Sequence, residues 1–228
     1  MNERKGKLIV IDGTDGSGKE TQTKLLVDRL RKEKYPVETA DFPQYGQHSA
    51  KLVEKYLAGD FGKAEEVSPY LASVYYALDR NAKGAELHRW LEQGKIIISN
   101  RYVSSNQGHQ AGKLKEPAKI DAFLKWLDYV EYEYFAIPRP DKVILLHMPY
   151  QIGQELKRKQ REKQMEQASG KGMDIHEKDL NHLKEAEQAY LYVAKKEGWE
   201  VIECGEGNSP LPIDDIHKKI YDLVKKIL

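Results

Sequence analysis

The 228-residue chain has one cysteine, Cys204, so no disulfide can close within it, and a reducing compartment is expected. It has no apolar run long enough to cross a bilayer. No signal-peptide pattern precedes the first apolar segment either, so the expectation is a cytoplasmic protein that does not engage a membrane. Neither sign of charge dominates: 37 Lys and Arg face 36 Asp and Glu. That near balance argues against a global pull toward nucleic acid or an acidic lipid surface. No internal repeat and no second core pattern can be found, so one domain over residues 1–228 is expected, long enough to bury a substantial core.

What the chain does carry is concentrated at residues 7–21, KLIVIDGTDGSGKET. A short apolar, β-branched run (Leu8, Ile9, Val10, Ile11) stops at a turn holding Gly13, Gly16 and Gly18, followed by Lys19 and a helix-like segment. Strand, Gly-x-x-x-x-Gly-Lys, helix is the order of a phosphate-binding P-loop. The glycines let successive backbone N–H groups turn inward toward phosphate oxygens, and the helix start adds unpaired N–H groups and a positive dipole end. Lys19 brings a cation to the β- and γ-phosphates. Residues Gly13, Thr14, Asp15, Gly16, Ser17, Gly18, Lys19, Glu20 and Thr21 are therefore assigned to the phosphates of a nucleotide. The Ser or Thr that usually follows the lysine and holds Mg²⁺ is replaced by Glu20, with Thr21 one residue later. Glu20 becomes the candidate metal ligand.

Strand-like runs recur at 8–11, 37–42, 96–99, 142–147 and 199–203, separated by stretches of helical period such as Thr21 to Lys34 and Glu65 to Glu92. That alternation predicts an α/β fold: a five-stranded parallel sheet in a three-layer arrangement, flanked by helices and joined by right-handed crossovers. Asp214 to Leu228 reads as an amphipathic closing helix, with Ile216, Ile220, Leu223, Val224 and Ile227 on one side. Residues 157–178, KRKQREKQMEQASGKGMDIHEK, break the style. They fit a solvated helix end with a surface loop, or a mobile basic lid that closes over bound phosphates.

Four further motifs, in order, make the chain resemble the thymidylate kinase family, P-loop nucleoside monophosphate kinases that make dTDP from dTMP and ATP. Phe42-Pro43-Gln44-Tyr45-Gly46 resembles the family loop lining the monophosphate site, although Tyr45 stands near a frequent arginine. Tyr76-Ala77-Leu78-Asp79-Arg80 resembles the segment that reads the base; Tyr76 and Arg80 fall on one helix face. The bland alternative for this pair is a core tyrosine and a surface salt bridge. Ser99-Asn100-Arg101-Tyr102 resembles the family's Asp-Arg-Tyr, with Asn100 at the aspartate. The fourth motif is the basic segment itself, which resembles the family lid.

The resemblance implies that Asp15, Phe42, Pro43, Tyr76, Arg80, Arg101, Ser105, Asn106 and Gln110 hold dTMP, Asp15 through the 3′-hydroxyl and Arg101 through the phosphate. It implies ATP and Mg²⁺ as cofactors and a homodimer. Because Gly16 leaves no arginine in the P-loop, Arg158 and Arg161 would join Lys19 and Arg101 in catalysis from the lid. His109 has no evident partner in the sequence and reads as structural. Two other readings stay open: a kinase for another nucleoside monophosphate or a deoxynucleoside, and a P-loop switch protein without catalysis. The second should carry a guanine-reading Asn-Lys-x-Asp motif, which is absent.

Overall fold

The computed structural model describes residues 5–63, 66–166 and 180–228, with the side chains of 160–166 and 180–182 outside the description. Five parallel strands form one sheet: β1 (Lys7–Gly13), β2 (Val37–Asp41), β3 (Ile96–Asn100), β4 (Lys142–His147) and β5 (Glu200–Glu203), in the order β2-β3-β1-β4-β5. All five expected strands are present. Central strands of a parallel sheet are covered on both faces, which is why β1, β3 and β4 are continuous apolar runs.

Side-chain alternation along β1 sorts the core into two layers. Leu8 and Val10 point to the layer of Leu87, Leu91, Phe123 and Leu127. These come from α3 (Pro69–Glu92) and α5 (Pro117–Asp128). Ile9 and Ile11 point to the opposite layer of Leu26, Leu30, Ile216 and Ile220, from α1 (Lys19–Lys32) and the closing helix, Ile213–Lys225. The result is the expected three-layer sandwich. The carboxyl ends of the strands share one edge, where Asp41 pairs with Asn100 and Gly13 with Leu146. Ligands of open α/β sheets bind outside that edge.

Around the edge stand α2 (Lys51–Ala58), α4 (Val103–His109), α6 (Tyr150–Glu166) and α7 (Leu180–Glu197); the closing helix is α8. The helix expected from Glu65 starts instead at Pro69, whose fixed φ suits a first helical position. A small hairpin, β6 (Gly205–Glu206) with β7 (Ser209–Pro210), follows β5 and was not expected. The basic segment begins as a continuation of α6, and residues 167–179 lie outside the described residues. Among the described residues no helix is long and apolar enough to cross a membrane.

Candidate active site

β1 runs directly into the glycine turn. Gly13, Gly16 and Gly18 have φ of 153°, 81° and 83°, backbone that residues with a side chain rarely adopt. A Cβ on Gly13 would stand 2.4 Å from the Leu146 carbonyl oxygen, so the turn is pressed against β4. Lys19 opens α1 and is buried, its Nζ donating to the Thr14 carbonyl at 2.8 Å and lying 3.8 Å from Asp15 Oδ1. Burial first, then Arg101, push its ammonium down to about 7, against the pull of Asp15 and Asp12. Such a cation is underpaired in the protein alone and gains from incoming phosphate charge. Ser17 Oγ and Thr23 Oγ1 are buried without a partner among the described residues, while Glu20 and Thr21 are exposed on the first turn of α1.

Beside this turn lies a cleft of about 470 Å³. Its lining brings together all the residues that the sequence assigned to the acceptor: Asp15, Phe42, Pro43, Tyr76, Arg80, Arg101, Ser105, Asn106 and Gln110. Glu20, Asp41, Asn100 and His109 also face it. Asp15 is its electrostatic hub. Oδ1 accepts from Arg101 Nη2 at 2.7 Å and Oδ2 from Lys157 Nζ at 2.8 Å. Burial acts to raise the Asp15 carboxyl, but Arg101, Lys19 and Lys157 together hold it well below the usual range. Arg101 sits just past β3 with φ 63°. Its N–H donates to the Ile11 carbonyl at 3.0 Å and its carbonyl accepts from Ser99 Oγ at 2.6 Å, which pins a strained backbone beside the P-loop.

At the other end of the cleft, Tyr76 stands edge-on to buried Tyr56, ring centroids 6.2 Å apart at 87°. Lys113 Nζ donates to the Tyr56 hydroxyl at 2.9 Å, so Tyr76 is braced from behind. Arg80 is not in a surface salt bridge. It is buried and gives Nε and Nη2 to Glu131, itself fully buried in the π-helical turn Tyr129–Tyr134 after α5. Its Nη1 donates to the Tyr102 carbonyl at 3.3 Å. The neighbouring Asp79 accepts from Gln44 N at 2.8 Å and Ser49 Oγ at 2.6 Å, and so carries the Phe42–Pro43 loop. Asn106 Nδ2 donates to the Ser73 carbonyl, and Gln110 Oε1 is buried without a partner among the described residues. The Ser105 hydroxyl donates to Asp12 Oδ2 at 2.8 Å.

Oxygen donors gather on the P-loop side of the cleft. Asn100 Nδ2 donates to Asp41 Oδ1 at 2.9 Å, and Asn100 Oδ1 is buried without a partner among the described residues. Burial raises the Asp41 carboxyl, eased by Asn100 and Arg101 and reinforced by Glu20. A second carboxylate close to Asp41 favours a cation between them. Among the described residues no group of three or more His, Cys, Asp or Glu forms a metal cage.

Of the lid residues named from the sequence, Arg158 pairs with Glu155 at 2.7 Å on the exposed side of α6. The side chain of Arg161 lies outside the described residues. Lys157, not assigned from the sequence, is a cation of α6 that reaches Asp15. Asp12, Asp41, Glu131 and Tyr190 were missed as well. The signal for Glu131 was an acid inside an aromatic run, Tyr129-Val130-Glu131-Tyr132-Glu133-Tyr134.

A family model described as thymidylate kinase matches residues 11–220. The chain is 29% identical over 193 residues to the thymidylate kinase of Mycobacterium tuberculosis, covering 84% of this chain and 87% of that protein. It is 25% identical over 225 residues to the thymidylate kinase of Schizosaccharomyces pombe, covering 99% and 94%. The solved thymidylate kinase of Candida albicans superposes with a TM-score of 0.67 at 20% identity, covering 97% of this chain and 92% of that one, a likeness of fold.

Proposed function

Because the chain belongs to the thymidylate kinase family, it is a dTMP kinase that uses ATP, and we propose that the 470 Å³ cleft seats dTMP with its phosphate at Arg101. The observation that carries this reading is the convergence of Lys19 and Arg101 on Asp15, where the P-loop opens into the cleft. Donor and acceptor phosphates would meet there.

An oxygen of the dTMP phosphate attacks the γ-phosphorus in line, the bond to the β,γ-bridging oxygen breaks, and ADP leaves with that electron pair. The attacking oxygen is already ionised near neutral pH, so no strong base is required, and catalysis consists of positioning and charge stabilisation. The residues 13–21 cradle the ATP phosphates, with Lys19 at the β- and γ-oxygens. The cations of α6, Lys157 with Arg158 and Arg161, bring further positive charge and help exclude water. Tyr76 stacks on thymine, Arg80 offers its remaining donor capacity to a base carbonyl, and the orphaned Gln110 Oε1 suits the N3–H of a keto pyrimidine. Asp15 turns to the deoxyribose 3′-hydroxyl. Mg²⁺, when bound, would neutralise developing phosphate charge, and Glu20, Asp41 and Asn100 Oδ1 would be the oxygens that hold it.

The exposed Leu71 and Leu78 of α3 support a homodimer, and the single buried Cys204 supports a cytoplasmic location. The test of function is a panel of mononucleotides and deoxynucleosides with ATP. dTMP is expected to be the best acceptor, dUMP weaker and purine monophosphates poor. AMP or CMP as best acceptor would overturn the thymidylate reading.

A further inference from the structure

Arg101 has a backbone fixed at both its N–H and its carbonyl, so only the aim of its side chain remains to be set. Two groups hold the guanidinium. Asp15 takes Nη2 at 2.7 Å, and His109 Nε2 lies 3.2 Å from Nη1. They differ in kind. A carboxylate neutralises the arginine and competes with an incoming phosphate. An imidazole can accept from Arg101 only when neutral, with its proton on Nδ1, and so directs the guanidinium without cancelling its charge.

The His109 ring is itself held. It closes α4 and stands edge-on to Tyr190 of α7, centroids 5.3 Å apart at 85°. Tyr190 is buried, and its hydroxyl donates to Asp12 Oδ1 at 3.0 Å. Asp12 also accepts from Ser105 of α4 and from Gly13 N, where the P-loop begins. Gly108 makes the approach possible: a Cβ there would lie 2.4 Å from the Tyr190 ring. Strand β1, α4 and α7 thus converge on the ring that touches Arg101.

We propose that His109, set by Tyr190, is a positioning residue that aims Arg101 at the acceptor phosphate while leaving its charge uncancelled. This rests on the reading that Arg101 grips the dTMP phosphate. The test is steady-state kinetics with dTMP varied, together with thermal melting, on the full chain. His109→Phe keeps the ring and loses the acceptor nitrogen. Its KM for dTMP is expected to rise by about five- to tenfold, the worth of one net hydrogen bond, with kcat within about threefold and the melting temperature held. His109→Gln, which supplies a neutral amide acceptor, is expected to restore a KM near wild type. Tyr190→Phe, the second variant should His109→Phe fail to fold, frees the ring from Asp12 and is expected to raise the same KM. Unchanged KM in His109→Phe, or a rise that His109→Gln does not rescue, would overturn the proposal. Arg101→Met is the separate control: if it leaves the KM for dTMP unaltered, the phosphate-binding reading has failed first.

Discussion

Gly16 and Gly153 meet backbone to backbone: a Cβ on Gly16 would stand 2.3 Å from the Gly153 carbonyl oxygen, and one on Gly153 would stand 2.6 Å from that of Asp15. The phosphate loop therefore rests on the first turn of α6. This explains in physical terms why position 16 carries no arginine, since a side chain there would meet α6 and would also strain a φ of 81°. Gly153→Ala is expected to force the two backbones apart, destabilising the protein by roughly 1–3 kcal/mol and raising the KM for ATP. Thermal melting and a coupled ADP-release assay check both. Wild-type values of each would show that the contact is slack.

Lys157 and Asp15, 2.8 Å apart, tie the same helix to the loop by charge. A carboxylate between Lys157, Arg101 and Lys19 occupies the middle of a cationic cluster that phosphates would otherwise fill. On the proposed seating of dTMP, in which the sugar engages Asp15, Lys157 would be freed toward the transferring group. Lys157→Met is expected to lower kcat by about a hundredfold, the scale of one preorganised charge contact at a transition state, with a smaller change in KM for dTMP. Lys157→Arg should recover part of it. A raised KM with kcat intact would place Lys157 in ground-state binding alone.

Arg80 and Glu131 form a fully buried ion pair beneath the Tyr76 end of the cleft. Removing one member leaves a charge without a partner in a dry site. Glu131→Leu is expected to destabilise the protein by about 3–5 kcal/mol, whereas Arg80→Met with Glu131→Leu together should be much closer to wild type in stability. Denaturant melts of the single and double variants decide it. The double variant should still lose base selectivity, because Arg80 is part of the cleft wall.

Local signals made the sheet and the phosphate loop legible. β1, β3 and β4 must be apolar to lie between two helical layers, and α8 buries Ile216, Ile220 and Val224 on the side that its amphipathic pattern marks. The cleft lining was legible through motif resemblance at short spacing, as with Tyr76 and Arg80. Partners supplied by distant parts of the chain were not. Glu131 lies 51 positions from Arg80, and Tyr190 lies 178 from Asp12. His109 read as partnerless because its partner sits across the turn from β3 into α4. Lys157 was passed over because a basic run gives no indication of which cation faces inward until the helix has a phase. Arg158, one residue on, pairs with Glu155 on the exposed side.

His147, the last residue of β4, lies between two carboxylates: Nε2 is 2.8 Å from Glu187 of α7 and Nδ1 is 2.6 Å from Glu203 of β5. Glu187 also accepts from Tyr150 N, at the start of α6, so the cluster joins α6 and α7 to the ends of β4 and β5. Both ring nitrogens must donate to satisfy both acids, which requires the imidazolium. Burial acts to lower its pKa, but the hydrogen bonds and charges of Glu187 and Glu203 outweigh this, and the net shift is upward. A group whose pKa is raised on folding stabilises fully below its unfolded value, near about 6.5, and the contribution is lost as pH rises through the folded value. The melting temperature should therefore fall over that window by more in the wild type than in His147→Gln, whose amide does not titrate. Melting curves from about pH 6 to about pH 9 compare the two, a range set by the ordinary histidine value and its upward shift. Parallel curves would mean that His147 carries no pH-dependent part of the fold's stability.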